Sequence, residues 1–463
     1  AARWWQAPTL YWISAGNGML MATVWIGLVA SVLALVNVWP RLTLFVCWVC
    51  FLSFVSSAAD FSGYQSDGML LEAGFISLFF APRGVWPGLG YDSPPARASL
   101  FLLLWEWFRI YFQSGMVKIL SGDPQWRNLT AMDEYYQNGP LPTWVGWYVE
   151  HLPHGFHAAT VVLTLVLEFA VVWMVFFPRR VRWVCFWIVT PWEIGVILTG
   201  NYAFLNYLVL SLGILLVDDV YLLRWVPVRF WPAHPRDDAA GREAEFGKRG
   251  DEPVRTRPLE PVGLAVAAVM LTWVGYATVY KLAGMVMSTV PLPVQPVAAL
   301  EPFRIANQYG LFAVMTRGRY EIEFQGSDDG KEWKPYGFGH KPQVLNERPR
   351  VYAPYQPRFD WNLWFASLGD WRQNEMVPLT EEALLDNDRD VVGLFCEDPF
   401  GARAPRYVRA VLWQYWFTSM EEKRRTGNWW RRNLLGLYAP ELTRASDGRF
   451  AMVEEPAALP PHD

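Results

Sequence analysis

Charge is scarce in this chain. Asp, Glu, Lys and Arg make up 18% of its 463 residues, against the roughly 25% usual in soluble globular domains, which argues against an ordinary water-soluble protein. A basic excess is also missing. The formal net charge is −4, whereas a nucleic-acid binder would carry a basic stripe. Cysteine is nearly absent, with 4 residues, so a disulfide framework is excluded. Cys47, Cys50 and Cys185 sit in apolar runs and only Cys396 lies in polar sequence. The Cys47-x-x-Cys50 spacing resembles a redox motif, but FVCWVCFLSF disfavours a thiolate, and the pair reads as membrane packing. There is no glycine-rich phosphate loop, no G-x-S-x-G and no H-E-x-x-H, so nucleotide, serine-hydrolase and zinc-protease chemistry lack a signature. A chain that opens on Ala1 without a signal-peptide pattern reads as a processed or partial form.

Aromatic and apolar residues are abundant instead. Trp 27, Phe 28 and Tyr 20 make 16% of the chain, a membrane-protein balance. A helix needs about 20 apolar residues to cross a bilayer. Apolar runs suited to this lie at 10–38, 41–59, 98–120, 157–177, 183–200, 202–222 and 259–286, and a shorter run, GMLLEAGFISLFFA, carries Glu72. Seven or eight spans are therefore expected. Lys and Arg cluster in PRRVR (178–182) and again between Arg224 and Arg257, an even number of crossings apart, which puts both on the cytoplasmic side and residues 287–463 on the opposite face. The polar stretch 231–258 reads as a loop and the tail from Glu454 as disordered.

Beyond the last span, RYEIEFQGSDDGKEWKPYGF (319–338) alternates in two runs around Ser327-Asp328-Asp329-Gly330, a hairpin signal. RYVRAVLWQYWFTSM (406–420) fits neither the helical nor the strand period cleanly. The expected architecture is a polytopic α-helical membrane bundle over 1–286, a β-rich extramembrane domain over 287–453 with added helices, and a tail over 454–463.

Ionisable residues inside a span each ask for a partner or a purpose. Glu106 and Arg109, at i,i+3 on one helical face, are expected to pair. Lys118, near the helix end, either snorkels to the interface or is desolvated into a base. Asp123, Trp126, Arg127 and Tyr136 follow in a polar, aromatic loop that reads as a cleft or as an aromatic belt. His151, His154 and His157 recur at threes, but Pro153 and Gly155 break the helix that would align them on a metal. Glu168 and Glu193 have no basic partner nearby in sequence, and interhelical hydrogen bonding is their expected role. No metal or cofactor is expected.

Two long blocks carry a family resemblance: FRIYFQSGMVKILSGDPQWRNLTAMDEYYQNGPLPT (108–143) and NQYGLFAVMTRGRYEIEFQGSDDGKEWKPYGFGHKP with PRVYAPYQPRFDWNLWFASLG (within 307–369), followed by EDPF, PRYVRA and RRTGNWWRR. They resemble the lipase maturation factor family. The stretch after Gly369 fits only loosely. The resemblance implies a multi-span protein with a lumenal C-terminal domain that helps dimeric lipases reach their active form. Arg-, Ala- and Trp-rich composition suggests a bacterial chain, for which the lumenal side becomes the periplasm of an inner-membrane protein. The expected partners are a secreted lipase-like client and membrane lipids, with Tyr352, Tyr355, Arg358, Trp361 and Trp364 as client-binding candidates, since Trp, Tyr and Arg dominate interface energetics. A more distant resemblance links YFQSGMVKILSGDPQW (111–126) to vitamin K-dependent gamma-carboxylases and related bacterial membrane domains. It implies an alternative, a membrane enzyme with Lys118 as base and Asp123 or His151 beside it.

Overall fold

A computed structural model describes residues 2–88, 93–223, 261–401 and 403–457. The basic segment 224–257, the polar loop expected at 231–258 and residues 458–463 of the expected tail lie outside the described residues. The chain forms two compact units, each assembled from separate stretches. The first takes Ala1–Leu120, Leu165–Pro191 and Leu208–Phe312, and the second takes Ser121–Thr164, Trp192–Tyr207 and Ala313–Asp463. The expected boundary at 286 runs along the sequence, whereas the loop after Leu120 folds with the C-terminal residues.

The helices most relevant here are α1 (Asn17–Leu35), α2 (Pro40–Val55), α3 (Gln65–Phe80), α4 (Arg97–Leu120), α5 (Trp144–Glu150), α6 (His154–Phe169), α7 (Arg179–Thr199), α8 (Leu205–Gly213) and α9 (Pro261–Gly284). Among the described residues, four helical segments are long and apolar enough to cross a membrane: Asn17–Leu35, His154–Phe176, Arg179–Thr199 and Val262–Gly284. Pro40–Val55 and Leu205–Leu216 are apolar but shorter. The run expected at 202–222 is cut down by a 3-10 turn at Ile214–Leu216 ahead of Asp218 and Asp219. The run with Glu72 is helix α3, whose Ser66, Asp67 and Glu72 are buried together with Met69 and Ile76. Burial of Glu72 is possible there because its carboxylate is paired with Arg109.

The second unit contains an antiparallel sheet: β1 (Arg319–Ser327), β2 (Lys334–Pro335), β3 (Tyr407–Phe417), β4 (Trp430–Leu437), β5 (Glu441–Arg444) and β6 (Phe450–Glu454), in the order β2-β1-β3-β5-β6. The expected hairpin is β1–β2, and Gly330 takes a φ of +70° in its turn, a left-handed conformation that glycine adopts at no steric cost. The ambiguous run 406–420 is the central strand. β3 pairs with β1 along one side, while on the other its Tyr407 and Val408 pair with β5 and its Val411–Phe417 with β4.

Both faces of β1 are buried. Tyr320, Ile322 and Phe324 point to an apolar face, where Phe324, Phe338, Phe359 and Phe395 pack in edge and stacked contacts. Helix α10 (Arg358–Ala366) ends there, and the Ser367 hydroxyl donates to the Tyr320 carbonyl at 3.0 Å. Arg319, Glu321, Glu323 and Gln325 form the opposite face, buried and charged. Glu321 is bound by Arg319 and by Lys341 at 2.9 Å, and Glu323 by Arg432 at 3.2 Å and the Gln325 amide at 2.7 Å. Arg319 also donates to the backbone carbonyls of Gln137, Gly139 and Pro140, so one guanidinium ties the 121–144 loop to the sheet. Phe417 N–H donates to the Gln137 side chain at 3.0 Å and fixes the same loop a second time.

Candidate functional site

Helix α4 carries a polar stripe made of two adjoining rows, Glu106, Arg109 and Gln113, then Ser114 and Lys118, each at the three- or four-residue steps that keep side chains together on a helix. The stripe is buried inside the first unit. Arg109 makes its ion pair with Glu72 of α3, and Glu106 accepts from the Tyr309 hydroxyl at 3.1 Å. The expected Glu106–Arg109 pair is thereby replaced. Two side chains one turn apart on a helix project outward side by side, and here the guanidinium reaches across to a carboxylate on the neighbouring helix.

The rest of the stripe reads a peptide. Residues Asn307–Leu311, an extended strap after the last helix of this unit, lie against α3 and α4 with their backbone groups taken by side chains. Asn307 N–H donates to Glu72 at 2.8 Å and its carbonyl accepts from Arg109 at 2.7 Å. Tyr309 N–H donates to Gln113 at 2.9 Å. Gly310 exchanges two bonds with the Gln65 amide, at 2.9 and 3.1 Å. Leu311 N–H donates to Ser114 at 3.3 Å and its carbonyl accepts from Lys118 at 3.2 Å. A Cβ on Gly310 would come within 2.9 Å of Val117, so the close approach requires glycine. Each buried backbone group would cost about 1–3 kcal/mol if left unmade, so these side chains set the strap's register.

Lys118 is 3% exposed. Its ammonium donates to Glu168 at 2.7 Å, to Leu311 O at 3.2 Å and to Ser114 O at 3.3 Å. Glu168, which the sequence left without a basic partner, is its counter-ion. Glu193 accepts from Asn206 at 2.7 Å, as an interhelical hydrogen bond.

Asp123 and His151 belong to the second unit. Asp123 is buried and caps the turn Pro124–Arg127, accepting from Gln125 N–H at 3.0 Å, and its other oxygen accepts from Met315 N–H at 2.7 Å. His151 has Trp147 O and Thr418 O at 2.7 and 2.9 Å. His154 faces Asp133 at 3.0 Å and His157 faces Leu152 O at 3.0 Å, so the three histidines turn to three different acceptors. Trp126 and Tyr136, offered as cleft or belt residues, are buried.

Of the client-binding candidates, Trp361 and Trp364 are 6% and 8% exposed, which leaves them under the surface rather than on it. Tyr355 is 61% exposed, and Tyr352 stacks edge-on against His340. Tyr352 N–H and Ala353 N–H both donate to the buried Asn201 side chain, at 2.7 and 3.0 Å. The sequence reading missed Asn201. Nothing local flags an asparagine whose partners lie 60 positions before it, at Leu141, and about 150 after it, at Arg350, Tyr352 and Ala353.

Close by in sequence, Glu150 is pushed up to about 9 by burial, with Glu134 and Asp133 adding repulsion and the N–H groups of Tyr136 and Gln137 opposing. The folded state therefore keeps its proton where the unfolded chain, near 4.5, gives it up. Stability contributed here is complete below about 4.5 and falls as pH rises towards 9. Glu150→Gln is expected to raise the melting temperature at pH 8 and to flatten its decline between about pH 5 and 8. Thermal unfolding of both proteins across that range checks this, and parallel curves would contradict it.

Comparison with known proteins now decides the family. Residues 1–224 match the lipase maturation factor transmembrane domain and residues 305–440 the lipase maturation factor C-terminal domain. Lipase maturation factor 2 of Gallus gallus is 30% identical, with 95% of this chain aligned to 74% of that protein. This chain belongs to the lipase maturation factor family. Lipase maturation factor 1 of Bos taurus is 30% identical over 95% of this chain and 79% of its own length, and lipase maturation factor 2 of Homo sapiens is 29% identical over 95% and 76%. No solved structure matches. The strap and most of the charged sheet face fall within the matched C-terminal domain, and α3 and α4 within the matched transmembrane domain.

Proposed function

We propose that this protein is a membrane-embedded maturation factor that holds a secreted lipase-like client while it folds. The observation that carries the reading is the ordered match of both family domains to a single chain, over 95% of its length in the relatives named lipase maturation factors. The client surface we assign lies around Tyr352, Tyr355 and Arg358, with Trp361 and Trp364 supporting it from beneath. A backbone pinned by Asn201 gives exposed Tyr355 a rigid base, which lowers the entropic cost of binding.

Seven or eight spans remain our reading of the membrane region, with α2, α4 and the Leu205–Leu216 segment counted beside the four most apolar long segments. Arg179, Arg180 and Arg182, in the first turn of α7, mark the loop that joins Phe176 to α7 as cytoplasmic. The ends of His154–Phe176 and of α7 away from that loop belong to the sheet-containing unit, which supports a non-cytoplasmic sheet domain. The relatives are vertebrate proteins, so placement in a bacterial inner membrane with a periplasmic domain rests on this chain's composition alone.

The carboxylase-like alternative would use Lys118 as base. A lysine that spends its protons on a carboxylate and two carbonyls is poorly placed to accept one, so we favour the non-catalytic reading. Deleting the gene in its native host and weighing the secreted proteins intact by mass spectrometry separates the two. A lipase-like protein is expected to fall in abundance at unchanged mass. Restoring the gene with Tyr355→Ala and Arg358→Ala together should recover only a fraction of it, since interface anchors are each worth about 2 kcal/mol or more. A secreted protein that keeps its abundance and loses a covalent mass increment would make this chain an enzyme instead.

A further inference from the structure

A polar cavity of about 420 Å³ opens in the first unit beside the end of α9. Lys281, Arg304, Gln6 and Ser56 face it with Glu301 and Asn307. The only carboxylate in the lining is Glu301, which is 3.7 Å from Lys281 and itself largely exposed. Among the described residues, none makes a hydrogen bond to the Arg304 guanidinium, the Gln6 amide or the Ser56 hydroxyl, and Gln6 and Arg304 are exposed at the mouth of the cavity. Three uncommitted donor groups and an ammonium thus converge on one cavity with a surplus of positive charge.

The depth of the cavity is set by its neighbours. Lys281 lies in the last turn of the candidate span Val262–Gly284. The wall made by Gln6 belongs to a helical turn with exposed Trp4 and Trp5, where Trp5 packs on Phe303 at 4.9 Å and Arg3 lies over Trp12 at 5.2 Å. Tryptophan and arginine in this arrangement mark the headgroup level of a bilayer. Val55 and Pro302 supply an apolar side to the same opening.

We propose that this cavity binds a phosphate-bearing anion, which at this depth is the headgroup of a membrane phospholipid, with Arg304 and Lys281 on the phosphate and Gln6 and Ser56 completing its hydrogen bonds. A guanidinium with an ammonium beside it suits a phosphate oxygen cluster through charge-assisted bonds. Arg304 and Lys281 lie outside the Glu72–Arg109 and Lys118–Glu168 pairs, so their substitution leaves those pairs intact.

Native mass spectrometry of the full chain in detergent, titrated with phosphatidylglycerol or with diacylglycerol of the same acyl chains, tests this. One phosphatidylglycerol is expected to be retained, with diacylglycerol lost. Retention should fall at least about tenfold in Lys281→Gln/Arg304→Gln, a loss equivalent to about 1.4 kcal/mol, at unchanged melting temperature. Glu301→Gln, which removes the competing carboxylate, should strengthen retention. Equal retention of both lipids, or of phosphatidylglycerol by the double variant, overturns the proposal. Displacement of the lipid by millimolar inorganic phosphate, with phosphate alone raising the melting temperature, would overturn the lipid assignment and leave a free-phosphate site.

Discussion

Arg109→Met is expected to destabilise the membrane unit by about 3–5 kcal/mol, the usual cost of removing one partner from a buried ion pair. The loss comes less from the attraction forgone than from what is left behind. Glu72 would lose its ion-pair partner, Glu106 the nearby positive charge, and Asn307 O its donor, with both carboxylates fully buried. The measurement is thermal unfolding in detergent, read beside the yield of monodisperse protein. A second substitution separates charge from packing: Glu72→Gln in the Arg109→Met background removes one stranded carboxylate and should recover part of the stability. If Arg109→Met melts like the wild type, the cluster is not the closed network described.

Arg319→Met is the second large effect, again about 3–5 kcal/mol, and it should be felt away from its own strand. Its guanidinium satisfies Glu321 and three loop carbonyls, at Gln137, Gly139 and Pro140. The variant should therefore loosen the 121–144 loop, detected as faster amide hydrogen exchange over Gln137–Leu141, while exchange in α3 and α4 stays as it was. Lys341→Met provides the comparison: it removes Glu321's second cation but no bond to the loop, so it should destabilise without that local signature. Equal loop exchange in the two variants would mean that Arg319 does not hold the loop.

Local patterns were readable in the sequence and distant partners were not. The β1–β2 hairpin was legible because alternation and an Asp-Gly turn both act within a dozen residues. β3 was ambiguous because a strand covered on both faces loses the apolar–polar contrast that marks a half-buried one. β1 shows the opposite trap. Its Arg-x-Glu-x-Glu-x-Gln spacing reads as a solvent face, and it is buried with the help of cations from Lys341 and Arg432, which join the pair Arg319 makes with Glu321 within the strand. The charges on α4 were rightly singled out, yet their partners were not, since Lys118 finds Glu168 50 positions away and Arg109 finds Glu72 37 positions away. Spacing rules along a helix cannot see such distances. Trp361 and Trp364 were drawn from a motif whose aromatic residues serve the domain core as much as its surface.

The strap adds a constraint of timing. Glu72 receives the Asn307 amide from 235 residues further along the chain, and at synthesis rates of about 5–20 residues per second it waits roughly ten to fifty seconds for that donor. During that interval the helices that carry Glu72, Glu106 and Arg109 are already made, with part of their polar surface unclaimed. The bundle is finished by a peptide that arrives last, after the final helix of the unit. A ribosome stalled before residue 307 would leave a half-satisfied polar seam, the kind of feature by which a cell's quality control recognises an incomplete membrane protein.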